Sequence, residues 1–103
     1  MTSRLDELRK NIDEIDHEMI ALLAKRFKYT EEVGLYKAKN NLNAQDTTRE
    51  SQQFQKITQL SERHGLTPEY ASEIYRRIID IVISRHQELL TMNLKDDQAS
   101  RVR

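Results

Sequence analysis

The chain reads as an all-α protein, with three helices per chain, the first very long, paired into an intertwined helical homodimer. Three observations carry that expectation. Apolar residues recur every three to four positions along three separate stretches, the period of helices that each bury one face. One proline and two glycines stand in 103 residues, so little interrupts those stretches. The first stretch runs for more than thirty residues, on the order of 50 Å at about 1.5 Å per residue. A 100-residue globule has a radius of gyration of only about 13 Å.

The first helix opens at Ser3, where a serine followed by Asp6 and Glu7 suits a capping box and an acidic first turn. Leu5, Leu8, Ile12, Ile15, Met19, Leu22, Leu23, Phe27 and Val33 then keep the helical repeat. Gly34 is the one weak point, tolerable at about 1 kcal/mol relative to alanine. The period is lost over residues 40–45, which form a loop. Asp46 or Thr47 caps a second helix carrying Phe54, Ile57 and Leu60, and His64-Gly65 ends it. Thr67-Pro68-Glu69 starts a third: a cap, a proline at the first helical position, an acid in the first turn. Tyr70, Ile74, Ile78, Ile79, Val82, Ile83, Leu89 and Leu90 carry it to about residue 92. The expected organisation is one helical domain over residues 1–92 and a polar, fraying tail over 93–103. No internal repeat is visible.

The second helix is too short to cover the apolar stripe of the first. That stripe needs a partner, and a twofold homodimer is the commonest solution. A helical hairpin within a monomeric bundle is the competing arrangement.

Composition removes several function classes. Seventeen basic and seventeen acidic residues cancel, with no basic stripe, so nucleic acid is not the expected partner. There is no cysteine, hence no disulfide framework and no thiolate metal site. His17, His64 and His86 lack ligand spacing, so no metal is expected. No apolar run approaches about 18 residues, and Met1 leads straight into polar sequence, so neither a membrane span nor a signal peptide is expected. A cytoplasmic protein is therefore the expectation, and 33% charged residues with a mean hydropathy of −0.81 are polar for a compact monomer.

A set of charged residues falls at fixed helical positions: Arg9, Arg26, Lys37, Asp46, Arg49 and Glu50. Arg26 and Lys37 are eleven residues apart, about three turns, and so share nearly one face. Arg9 lies roughly a quarter turn from that face, and Asp46, Arg49 and Glu50 gather at the start of the second helix. Four cations and two anions in fixed relation suit a small dianionic ligand. Each also has an ordinary reading. Arg9 and Arg26 taken singly are solvated surface arginines, Lys37 beside Lys39 complements a helix end, Asp46 is first a cap, and Arg49 and Glu50 are first-turn residues.

The segments LRKNIDEID (8–16), LLAKR (22–26), VGLYK (33–37), DTTRE (46–50) and IID (78–80) follow in order. Their order and spacing resemble the all-helical class (type II) of chorismate mutase, over about residues 4–90. The resemblance implies an intertwined dimer of three-helix chains with two active sites, working in aromatic amino-acid biosynthesis (the shikimate pathway). It implies an isomerase that turns chorismate into prephenate through a chair-like pericyclic transition state, with no nucleophile and no cofactor. Chorismate is a dianion with two carboxylates and an enol-pyruvyl ether. The protein must hold a compact conformer and stabilise charge growing on the ether oxygen. By this resemblance Arg26 binds one carboxylate and Arg9, from the partner chain, clamps the other, each through a planar fork. Lys37 donates to the ether oxygen and a carboxylate. Arg49 orders the charge network, and Glu50, with the backbone near Asp46, receives the ring hydroxyl.

The last helix departs from the family pattern. Where the family usually has glutamine, sometimes glutamate, as second donor to the ether oxygen, this chain has His86. Gln87 follows, but one residue turns a side chain by about 100°, so it reaches the site only through a local helix irregularity. Val82, on the face of His86 one turn earlier, stands where the family often has a small polar residue that helps hold the substrate. The loop before Asp46 lacks the family's common proline.

Three readings of His86 follow: a donor replacing the glutamine, a packed or exposed helix residue beside a weakened site, or part of a pocket altered for a related substrate. Relatives of this fold rearrange 4-amino-4-deoxychorismate or cleave isochorismate, and the intact Asp46-Thr47-Thr48-Arg49-Glu50 segment looks more like a mutase than a lyase. Two non-enzymatic classes compete. One is a helical homodimer acting as an interaction or regulatory module on a pathway enzyme. The other is a coiled-coil scaffold, which makes no use of Asp46, Arg49 or Glu50.

Overall fold

A computed structural model describes residues 3–101, with side chains described for residues 3–95. Residues 1–2 of the expected domain and 102–103 of the expected tail lie outside the described residues. All regular structure among the described residues is helical: α1 (Arg4–Lys39), α2 (Thr47–His64) and α3 (Pro68–Arg101). The described residues fall into two compact units, one up to Thr30 and one from Glu31 onward.

The first unit holds most of α1. Its start is a reciprocal cap. The Ser3 hydroxyl accepts from the Asp6 backbone N–H at 3.0 Å, and the Asp6 carboxylate accepts from the Ser3 N–H at 3.4 Å. Leu5, Leu8, Ile12, Ile15, Met19 and Leu22 form an apolar stripe, and every one of them is exposed. A stripe of that length is more than a soluble helix ordinarily leaves uncovered.

The second unit contains the end of α1, all of α2 and α3. The helix ends show why the loops fall where they do. Asn41, with φ of 54°, closes α1, and the Leu42 N–H donates to the Lys37 carbonyl at 2.9 Å. Gly65, with φ of 70°, closes α2 in the same way, with the Leu66 N–H on the Ser61 carbonyl at 2.8 Å. Both are left-handed terminations that satisfy orphan carbonyls, one using asparagine and one glycine. Asp46 caps α2, its Oδ1 accepting from the Arg49 N–H at 3.0 Å.

α2 packs on α3. The apolar core is thin: Ala38, Ala44, Ile57, Ala71, Ile79 and Leu89, and the polar residues Glu50, Ser61 and His86 are buried as well. The stretch after residue 92, expected to fray, is helical through Arg101. No glycine or proline follows Pro68 to stop the helix. Asn93, half-buried, ties this part of α3 to α1 by donating from Nδ2 to the Ala38 carbonyl at 2.9 Å. No helix among the described residues is long and apolar enough to cross a membrane.

Candidate active site

The last two turns of α1 present Glu31, Gly34, Lys37 and Ala38 at three-to-four spacing, so they share one face. Against that face α3 sets Arg85, His86, Leu89 and Asn93. The contact is close because residue 34 has no side chain. A Cβ built on Gly34 would fall 2.6 Å from His86 Cδ2 and 2.8 Å from Leu89 Cδ1. His86 is therefore seated against helix backbone and is only 4% exposed.

That seat brings the imidazole to Lys37. Lys37 Nζ lies 3.3 Å from His86 Nδ1 and donates to the Ala44 carbonyl at 3.1 Å. An ammonium is a donor only. In this pair Nδ1 is consequently the acceptor, and the proton of the neutral ring belongs on Nε2. Two acceptors fix the ammonium in direction.

Beside this pair, Arg85 grips Glu31 with two nitrogens. Nη2 reaches Oε1 at 2.7 Å, and Nε reaches both carboxylate oxygens at 3.0 and 3.1 Å. Nη1 also reaches Glu88 at 3.0 Å. Hydrogen bonds from Arg85 hold the Glu31 carboxyl below the usual range, against a smaller upward push from burial. The same bonds push the Arg85 guanidinium above its ordinary value.

A second cluster forms where α2 begins. Glu50 is 9% exposed and both of its oxygens are engaged. Gln45 Nε2 donates to Oε2 at 2.9 Å, and Arg76 Nη2 to Oε1 at 2.7 Å. Arg76 is also held by Asp80, at 2.8 Å from Nη2, and lies 5.4 Å over the Phe54 ring. The bonds from Gln45 and then Arg76 hold the Glu50 carboxyl low, opposed by burial and by the Asp80 charge.

The sequence-predicted residues thus fall into distinct settings. Lys37 and His86 come together. Asp46, Arg49 and Glu50 share the first turn of α2, with Asp46 and Arg49 exposed. Val82 is half-buried on α3, one turn before His86. α3 is unbroken through this stretch, so Gln87 points away from His86 and is exposed. Arg9, exposed, and Arg26, half-buried, belong to the first unit.

Sequence reasoning missed five residues that shape these clusters: Glu31, Gly34, Arg85, Gln45 and Arg76. The spacings Arg76–Asp80 and Arg85–Glu88 were legible as pairs along one helix. The partners across helices, Glu50 and Glu31, were not. Gly34 read as a weak point in a helix, and its use as a notch for a ring from another helix leaves no sequence signal. Among the described residues no group of three or more His, Asp or Glu side chains could hold a metal ion.

Comparison with known proteins places most of the chain in one family. The family model described as chorismate mutase type II matches residues 8–87. A bifunctional chorismate mutase/prephenate dehydratase of Aquifex aeolicus is 39% identical over 88 residues, 82% of this chain and 24% of that protein. The protein of the same description from Escherichia coli K12 is 30% identical over 87 residues, 84% of this chain and 22% of its own length. A chorismate mutase of Methanocaldococcus jannaschii is 29% identical over 80 residues, covering 78% of this chain and 81% of that protein. The chain therefore spans about a quarter of the bifunctional relatives and matches most of the shorter one.

Proposed function

This chain belongs to the chorismate mutase type II family, and from that premise we propose that it catalyses the rearrangement of chorismate to prephenate without a cofactor. The observation that carries the proposal is the Lys37 ammonium, held between the Ala44 carbonyl and His86 Nδ1 at 3.1 and 3.3 Å. The reaction is unimolecular and needs no nucleophile. Its barrier falls when the ether oxygen, as its bond to the ring stretches, meets a donor already aimed at it. A cation fixed by two acceptors needs little reorganisation to do that.

In this reading Lys37 donates to the ether oxygen and to a carboxylate, with His86 beside it at the reacting end. Arg26 binds one substrate carboxylate through its planar fork, and Arg9 of a second copy binds the other. Arg49 orders the surrounding charge. Glu50 and the backbone near Asp46 receive the ring hydroxyl. Val82 contacts the ring. The Glu50 pair with Gln45 and Arg76 supports that assignment, because it keeps the carboxylate ionised and in place to accept.

The second copy is part of the proposal: an intertwined homodimer with shared sites, acting in the cytoplasm. The exposed stripe from Leu5 to Leu22 supports it, since a twin stripe would bury it and would bring Arg9 across to the other chain. The bifunctional relatives carry, by name, a prephenate dehydratase on the same chain. A prephenate-consuming enzyme of aromatic amino-acid synthesis is accordingly the pathway partner we propose.

Val82 favours a second reading. An apolar side chain one turn from His86 suits a ring whose polar substituent differs, as in 4-amino-4-deoxychorismate or isochorismate. The deciding experiment is loss of chorismate on adding purified protein, with the product identified. Prephenate at an enzyme-like rate establishes the mutase. Turnover of one of the other two substrates alone establishes the second reading. A folded protein inert toward all three has only a binding role.

A further inference from the structure

We propose that His86 acts through Lys37 rather than on substrate: seated against Gly34, the neutral imidazole fixes the catalytic ammonium, and protonation of Nδ1 releases it. This deepens the mutase reading and rests on it.

The argument begins with the two faces of the ring. A Cβ on residue 34 would lie 2.6 Å from Cδ2 and 3.0 Å from Nε2, so that edge of the ring is pressed to the backbone of α1. The opposite nitrogen, Nδ1, is the one that meets Lys37, at 3.3 Å. A residue meant to donate to substrate would present an N–H at the reacting end. His86 presents a lone pair there, because its neighbour offers only protons. The ring therefore does for Lys37 what the Ala44 carbonyl does from the other side.

Histidine adds what a carbonyl lacks, a change of sign in the hydrogen bond. When Nδ1 gains a proton, the acceptor becomes a donor facing a donor, and a second cation stands beside the first. Among the charged groups near the ring are Lys37 and Glu31 from α1, and Arg85, the preceding residue of α3, is bound to Glu31. Glu31 is an anion that feels the charge of the ring, and two nitrogens of Arg85 already grip it. The ammonium then keeps one of its two acceptors, and its direction is lost.

Two readouts test this. The first is independent of activity: the tautomer of His86 in ¹⁵N-histidine-labelled protein, assigned by the signals that vanish in His86→Gln. A neutral ring protonated on Nε2 at pH 8 is expected. A ring protonated on Nδ1 there overturns the proposal.

The second is kcat/KM against pH, which reports groups of the free enzyme. The wild type should lose activity on acidification, tracking the His86 signals. His86→Gln keeps an acceptor, its amide oxygen, without a titration, so that limb should disappear. His86→Leu keeps no acceptor and should lose kcat about tenfold or more relative to the wild type at pH 8, with KM changed less and no acid limb. An acid limb that survives in His86→Gln, or full kcat in His86→Leu, overturns the proposal. If no form turns over chorismate, the mutase reading falls, and the tautomer still decides whether His86 accepts from Lys37.

Discussion

The imidazole of His86 occupies the space that a methyl group on residue 34 would need: a Cβ at Gly34 would stand 2.6 Å from the ring. Three residues beyond that notch on α1, Lys37 meets the same ring at 3.3 Å. One glycine thus sets both the packing of α3 on α1 and the position of the cation assigned to the chemistry.

Gly34→Ala reverses an ordinary expectation. In an open helix interior the change stabilises by about 1 kcal/mol. Here the added carbon meets a rigid ring and the Leu89 methyl, and overpacking of this kind costs about 1 to 3 kcal/mol. Urea unfolding should show a lower midpoint at unchanged slope. A higher midpoint means that the notch closes without strain.

Lys37→Ala should lower kcat by on the order of 10²-fold to 10³-fold, as loss of one preorganised donor does. KM should change much less, because the contact strengthens only as charge develops. Steady-state kinetics on chorismate decides it. A mutant with raised KM and intact kcat removes Lys37 from the reacting end.

Glu50 should show in the acid stability. Gln45 and Arg76 hold its carboxyl below the usual range. The stability linked to it is therefore fully present above the ordinary glutamate value, about 4.3. It is lost as pH falls from there through the lowered folded value. Thermal midpoints from pH 7 down to 3 should fall less steeply below about pH 4.5 in Glu50→Gln than in the wild type. Identical slopes would detach Glu50 from the acid transition.

Arg76→Ala should cost about 1 to 2 kcal/mol, since it leaves a buried carboxylate with Gln45 as its remaining donor. The figure is kept low because the Arg76 side chain is 44% exposed and solvent screens it. Chemical denaturation measures it. No loss at all would mean that water replaces the guanidinium.

The exposed stripe of α1 predicts a dimer by sedimentation, with a thermal midpoint that rises with protein concentration. Ile12→Lys with Met19→Lys should yield a monomer and remove the concentration dependence. A wild-type monomer at tens of micromolar would leave the stripe for another partner.

Periodicity and end signals determined the three helices. Apolar residues every three to four positions, Ser3 and Asp46 as caps, Gly65 and Pro68 at a stop and a start act within a few residues of chain, and the sequence displays them directly. The order and spacing of Arg9, Arg26, Lys37 and the Asp46–Glu50 segment likewise placed the chain in its family before any coordinates. The end of α3 is less legible. Polar composition after residue 92 suggested fraying, yet helix continues to Arg101, with Asn93 anchored on the Ala38 carbonyl. Only tertiary structure decided which nitrogen of His86 faces Lys37, that Arg76 occupies Glu50, and that Arg85 occupies Glu31. Those are meetings of residues roughly 25 to 55 positions apart. The sequence fixes the turn on which each side chain stands. How closely two helices approach depends on the side chains packed between them, and at Gly34 on the one that is missing.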